Sequence, residues 1–271
     1  MENGRAPDAA RFSEEVTAHA ARVRHVGLAR ALSKLGYCSR SQAAELIRAG
    51  RVRLNGAVRR DPETPTDLTR DQITIDGHPA RAAEKIYVML NKPRGVVTTA
   101  SDEKGRKTVY DLLPQDLPWL APVGRLDKAS EGLLLLTNNS AWAARITAPE
   151  THLDKTYHVQ VDRLVDAEEL RRMINGVRVD SREMLRAKSA SVLRRGERNC
   201  WLEIILDEGK NRQIRRMLDA MEIETLRLVR VAVGPLELGE LAKGASRRLS
   251  AQEKSALDSA MCSGRGRRAT S

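Results

Sequence analysis

The sequence predicts an α+β protein in two parts. A small N-terminal helix-helix-hairpin module precedes a larger domain with a mainly antiparallel, mixed sheet flanked by helices. Three observations carry this. Helical spacing and turn signals crowd into residues 28–77. Beyond them, strand-like and helix-like runs intersperse without a regular βαβ alternation. Neither a dinucleotide fingerprint nor a phosphate-binding loop is present.

In the first module Leu28, Ala31, Leu32 and Leu35 recur at helical spacing, and Gly36 ends the helix. Ser39 and Gln42 form a capping-box signal for a second helix with Ala43, Leu46 and Ile47 as its apolar stripe, closed by Gly50. Residues 51–54, the pair Asn55-Gly56 and Ala57–Val58 predict a hairpin with a tight primed turn, and Ile73–Ile75 a further strand.

In the larger domain, residues 86–90 read as a buried strand with 96–99 as its hairpin partner. A fully apolar strand, Leu133 to Leu136, follows the run Gly124-Arg125-Leu126-Asp127. The pattern then predicts a helix over 142–146, a strand over Lys155–Val161 and a helix over 167–174. A strand over 201–206, a helix over 211–221 and a strand over 226–233 complete it. Residues 1–25 are expected to be a poorly ordered extension, with a short helix possible over 14–23. The domains are placed at 26–84 and 85–255, and 256–271 reads as a basic disordered tail.

Charge is unevenly spread. The chain carries 47 Lys and Arg against 36 Asp and Glu, a formal +11. Between residues 26 and 60 eight bases (Arg30, Lys34, Arg40, Arg48, Arg51, Arg53, Arg59, Arg60) face one acid, Glu45, so this stretch holds +7 of the total. A localised basic surface is the footprint of a nucleic-acid-binding module. Cys38, Cys200 and Cys262 are odd in number and far apart, which argues against zinc and against a disulfide framework. The N-terminus has no apolar secretion segment and no run reaches membrane length, so a cytoplasmic protein without a membrane partner is expected.

Asp127 is the focal residue. A carboxylate between Gly124 and a rigid buried strand suits a catalytic acid or nucleophile, although on these residues alone a turn Asp before a buried strand is the favoured reading. Lys92-Pro93-Arg94-Gly95 reads as a structural turn, the Gly permitting close backbone approach. Tyr157 lies on a strand of alternating character. On the helix over 211–221, Ile214, Met217, Leu218 and Met221 share an apolar arc that Arg215 flanks, with Arg212 and Arg216 further round. A partly buried Arg215 needs an anion, and Asp127 is the candidate.

Two resemblances follow from these residues. The module carrying Leu32, Gly36, Ser39-Arg40, Ala43, Leu46-Ile47, Gly50-Arg51-Val52, Leu54-Asn55-Gly56 and Asp76-Gly77 resembles the small RNA-binding domain named after the fourth small-subunit ribosomal protein. The rest resembles the RsuA-type branch of the pseudouridine synthase family. It does so through Lys92-Pro93-Arg94-Gly95, Gly124-Arg125-Leu126-Asp127 with Ser130-Glu131-Gly132, Lys155-Thr156-Tyr157, and Glu208-Gly209-Lys210 leading to Gln213-Ile214-Arg215. The closing stretch with Arg230, Gly234 and Gly244 fits as well.

The resemblance implies isomerisation of a specific uridine to pseudouridine in ribosomal RNA, the large-subunit RNA favoured over the small. It implies Asp127 as the attacking acid, Tyr157 packed on the base and Arg215 paired with the Asp. Arg40, Arg48, Arg51, Arg53, Arg125, Lys210 and Arg212 are the expected RNA contacts. No metal and no small-molecule cofactor are expected, and the partner is ribosomal RNA or a pre-ribosomal particle met by a monomer. A noncatalytic RNA-binding assembly factor is the alternative from another class. Hydrolysis by Asp127 with Glu131 as a carboxylate pair is a third. Two departures from the family pattern stand out: Asn138-Asn139-Ser140 where Gly is common, and Glu222 where Gly usually ends the basic helix.

Overall fold

The computed structural model describes residues 25–99, 102, 104–181 and 183–263, so the expected N-terminal extension up to 24 and the tail from 264 lie outside it. The chain divides into two compact units, one of residues up to Ala31 with Arg40–Ala80, the other of Leu32–Ser39 with the chain from Arg81 onward.

The first unit contains a two-stranded pairing of β1 (Val26–Gly27) with a strand further along, the start of helix α1 (Leu28–Lys34), and α2 (Arg40–Arg48). A small sheet follows from β2 (Val52–Leu54) and β3 (Ala57–Val58). Next come β4 (Pro65–Thr66), which is the partner of β1, then β5 (Ile73–Ile75) and β6 (His78–Pro79). The sheet order is β3-β2-β5-β6, all antiparallel. The predicted hairpin forms as read. Asn55 at φ 52° and Gly56 at φ 81° supply the two left-handed residues of a primed turn. Ala43 and Ile47 of α2 are buried, as are Val52 and Leu54 of β2 and Ile75 of β5, each on the inward side of its element's pattern.

In the second unit, β7 (Tyr87–Lys92), β8 (Ala121–Pro122), β9 (Glu131–Thr137) and α3 (Ser140–Thr147) come first. Next are β10 (Lys155–Val161), α4 (Ala167–Asn175), β11 (Val177–Arg178), β12 (Met184–Leu185), β13 (Ser189–Arg195) and β14 (Cys200–Leu206). The unit closes with α5 (Gln213–Asp219), β15 (Thr225–Val233), β16 (Leu236–Glu237), β17 (Ser246–Arg248) and α6 (Ala251–Ser263). The main sheet runs β13-β14-β10-β15-β9-β7-β17, with β8 and β16 attached to β9 and β15. Its one parallel pairing among these strands is β15 on β9, where Arg230 lies opposite Gly132.

The unbroken apolar run of β9 has a packing cause. Leu133 and Leu135 enter a core with Trp142, Ile146, Leu257 and Met261, while Leu134 and Leu136 enter another with Ile86, Val109 and Leu120. A strand covered on both faces has no polar side to display. Each such Leu contributes about 1.5–3 kcal/mol of burial. A third core joins β10, β14 and β15 to α4 and α5.

Two expectations are corrected. Residues 96–99 do not pair with β7, whose neighbours are β9 and β17. Val97 makes only an isolated bridge to Thr108. Order also continues past residue 255. Helix α6 reaches Ser263 because Leu257 and Met261, four apart, fill the core beside Trp142, whose Nε1 donates to Asp258 at 2.9 Å.

Candidate active site

The loop between β8 and β9 carries Asp127, and its backbone is fixed from outside at five successive carbonyls. Thr98 Oγ1 donates to Leu126 O at 2.8 Å and Lys92 Nζ to Asp127 O at 3.0 Å. The Gly95 amide reaches Lys128 O at 2.8 Å, Arg215 Nη2 reaches Ala129 O at 3.2 Å, and Lys92 Nζ also reaches Ser130 O at 2.8 Å. Such a loop cannot shift without breaking several bonds at once, which is how a first-rank functional carboxylate is kept in place.

Lys92 is fully buried, and its ammonium serves the backbone of this structural turn and of the loop beside it. Burial pushes its ammonium down to about 8, with the charges of Asp127 and Glu131 pulling it back up. Gly95 is also explained differently. A Cβ there would meet nothing nearby, so its φ of 93° rather than close approach sets the residue type.

The carboxylate of Asp127 is partly exposed and faces a cleft of about 580 Å³. Tyr157, Lys155 and Arg230 line the same cleft with Arg125, Lys210 and Arg212. Tyr157 sits on β10 opposite Arg230 of β15 and packs against the core that α5 also covers. Asp127, Tyr157 and the cationic loop before α5 therefore converge from distant parts of the chain.

The ion partner of Asp127 is Arg212, not the expected Arg215. Arg212 Nη1 lies 3.5 Å from Asp127 Oδ2. Arg212 holds a left-handed backbone, φ 47° and ψ 33°, at the cap of α5. For a residue with a Cβ this costs about 1–2 kcal/mol, and such strain gathers at functional sites. Its neighbour Gln213 is buried and steadies the loop, donating to Glu208 Oε1 at 2.6 Å and Arg186 O at 3.0 Å. The helical wheel misplaced Arg212 because it assumes helical geometry at a residue that lies outside the helix.

Arg215 is buried, as its flanking position suggested. Its guanidinium instead donates to the carbonyls of Ala129 and, at 3.4 Å, Thr225, and its Nε has no partner among the described residues. Burial and then the Arg212 charge lower its affinity for the proton, while Asp127 opposes them. Arg215 thus holds the Asp127 loop rather than the carboxylate.

The remaining expected RNA contacts are spread over both units. Arg40, Arg48, Arg51 and Arg53 are exposed. Arg51 pairs with Asp76 and Arg53 donates to Gly56 O at 3.0 Å. Lys210 pairs with Glu208 at 3.3 Å. Glu131 has no place on the cleft. It is buried between Arg227 at 3.2 Å and Lys243 at 2.5 Å, which removes it as a second acid for hydrolysis. Among the described residues no cluster of His, Cys, Asp and Glu suits a metal ion, and no helix is long and apolar enough to cross a membrane.

The chain belongs to the RNA pseudouridylate synthase family, whose pattern matches over residues 86–220. The S4 domain matches over residues 26–69. The members of this family are isomerases acting on RNA. The chain is 36% identical over 228 residues to the Ribosomal large subunit pseudouridine synthase B of Bacillus subtilis, covering 83% of this chain and 93% of the relative. An Uncharacterized RNA pseudouridine synthase of Aquifex aeolicus is 37% identical over 228 residues, with 83% and 91% covered. Among solved structures, a crystal structure of a pseudouridylate synthase aligns at a TM-score of 0.61 and 28% identity, across 86% of this chain and 99% of the other.

Proposed function

We propose that this protein converts one or a few uridines of ribosomal RNA to pseudouridine, with the large-subunit RNA as substrate and Asp127 as the reacting acid. The observation that carries the reading is the partly exposed Asp127 carboxylate, set on a loop braced at five carbonyls and opening on the cleft that Tyr157 lines. The large-subunit preference is supported by the likeness to the Bacillus subtilis ribosomal large subunit synthase.

The reaction breaks the bond from C1′ to N1 of uracil, turns the base and joins C1′ to C5. The C5 proton leaves and N1 gains one, so no co-reactant is consumed. In this reading Asp127 assists glycosidic cleavage, Tyr157 packs on the base, and Arg212 shields and orients the Asp127 carboxylate at 3.5 Å. Arg215 acts as a positioning residue through Ala129 O. The target base must leave its stack, costing a few kcal/mol that aromatic and cationic contacts offset. The module at residues 26–84 supplies RNA contacts through Arg40, Arg48 and Arg53, and the protein acts as a cytoplasmic monomer.

The test is pseudouridine mapping of ribosomal RNA from cells lacking the protein, rescued with wild type or Asp127→Asn. One or a few large-subunit sites are expected to vanish and to return only with wild type. Loss of sites from the small-subunit RNA alone would reassign the substrate. Unchanged pseudouridine in the knockout, with RNA binding retained, would favour the noncatalytic assembly factor.

A further inference from the structure

Of the cations that line the cleft, Arg125, Lys155 and Arg230 have no salt bridge among the described residues, and the last two lie on adjacent strands. The acids nearest Lys155 are engaged elsewhere. Asp154 pairs with Lys188 at 2.7 Å, Asp207 with His152 at 3.5 Å, and Glu208 with Gln213 and Lys210. Arg230 is buried and donates its Nε to Leu133 O at 2.8 Å, which fixes the guanidinium and leaves its two terminal nitrogens without a hydrogen-bond partner among the described residues.

The two cations are also neighbours. Lys155 and Tyr157 are two apart on β10 and so share a face, and Tyr157 lies opposite Arg230 on β15. Burial, followed by the Arg230 charge, lowers the proton affinity of Lys155. Two partly desolvated like charges set side by side are unfavourable unless an anion joins them. Each nucleotide of an RNA brings one such anion, the phosphodiester, while uracil and ribose are neutral. We infer that Lys155 and Arg230 form a phosphate subsite that grips the RNA backbone beside the nucleotide entering the cleft. This deepens the proposed function and rests on it for the identity of the RNA.

The experiment uses the full chain and a ribosomal RNA fragment containing the mapped uridine. One version is all-phosphate, and two others carry a single neutral methylphosphonate 5′ or 3′ of that uridine. With wild type, one of the two neutral linkages is expected to raise KM about tenfold, the loss of one charge-assisted contact. Lys155→Met is expected to show the same rise on the all-phosphate RNA and no further rise with the neutral linkage, whereas Lys155→Arg restores sensitivity. Lys155→Met with unchanged KM, or with the full methylphosphonate penalty still added, overturns the subsite while leaving the proposed function intact.

If wild type converts no uridine, the proposed function falls, and the same series read as Kd still decides the subsite. Inorganic phosphate supplies the second arm. Thermal protection of wild type but not of Lys155→Met, without any methylphosphonate effect, would assign the site to free phosphate instead of RNA.

Discussion

Lys92 holds Asp127 by the main chain, its Nζ lying 3.0 Å from the Asp127 carbonyl oxygen. The contact sets the position of the carboxylate without touching it.

Lys92→Met keeps most of the side chain's bulk and removes the ammonium that donates to the carbonyls of Asp127 and Ser130. A stability loss of about 1–3 kcal/mol is expected in urea unfolding. The loss depends on pH. Burial lowers the folded-state pKa of Lys92 to about 8 from an ordinary 10.5. Between these values the unfolded chain binds more protons than the folded one, so this group's contribution to stability rises with pH there and is flat below 8. The stability gap between wild type and Lys92→Met should therefore widen from pH 7 to pH 10. A constant gap would mean that Lys92 titrates alike in both states.

Arg212 and Arg215 separate by their readouts. Arg212→Ala removes one exposed ion pair and should cost less than about 1 kcal/mol of stability while reducing kcat. Arg215→Ala removes the donor to the carbonyls of Ala129 and Thr225, so about 1–3 kcal/mol of stability should go with the activity. Thermal melts beside single-turnover rates check both.

Glu222 sits at φ 58°, the left-handed position that ends α5, where the Ile223 amide donates back to Leu218 O at 3.0 Å. Glu222→Gly should relieve the strain and, after the extra freedom gained by the unfolded chain, stabilise by about 0.5–1 kcal/mol. Calorimetry should register a higher Tm with unchanged turnover, since Glu222 is exposed and off the cleft.

Replacing both Arg40 and Arg48 by Ala should weaken RNA binding and reduce the slope of log K against log salt by about 1–2. Filter binding across a salt series measures it. Identical slopes would place these side chains away from the phosphates.

Much of this fold was legible because local chemistry and tertiary packing agree. Asn55-Gly56 forms the turn its residue types demand, and the strands around Tyr157 and Leu228 begin and end within a residue or two of their apolar patterns. Asp127 was legible as a braced loop acid. What escaped depends on long-range geometry. The turn at Lys92 reads as structural, but nothing in the sequence shows that two loop carbonyls await its ammonium. Arg212 carries no sequence mark of a left-handed backbone, since Gly and Asn are the usual occupants. Among its described side chains helix α6 buries Leu257 and Met261 within a polar stretch, too sparse a stripe to reveal a core helix.

Gly132 is the point where β9 and β15 run alongside each other, and a Cβ there would stand 2.2 Å from Arg230 O. Contacts so remote in sequence close slowly and late. During synthesis, Asp127 leaves the ribosome roughly a hundred residues before Arg230, on a chain that grows at about 5–20 residues per second. For those seconds it has no cleft to serve. Until β15 has been released and laid against β9, the growing chain holds Asp127 without the strand that brings Arg230 to the same cleft.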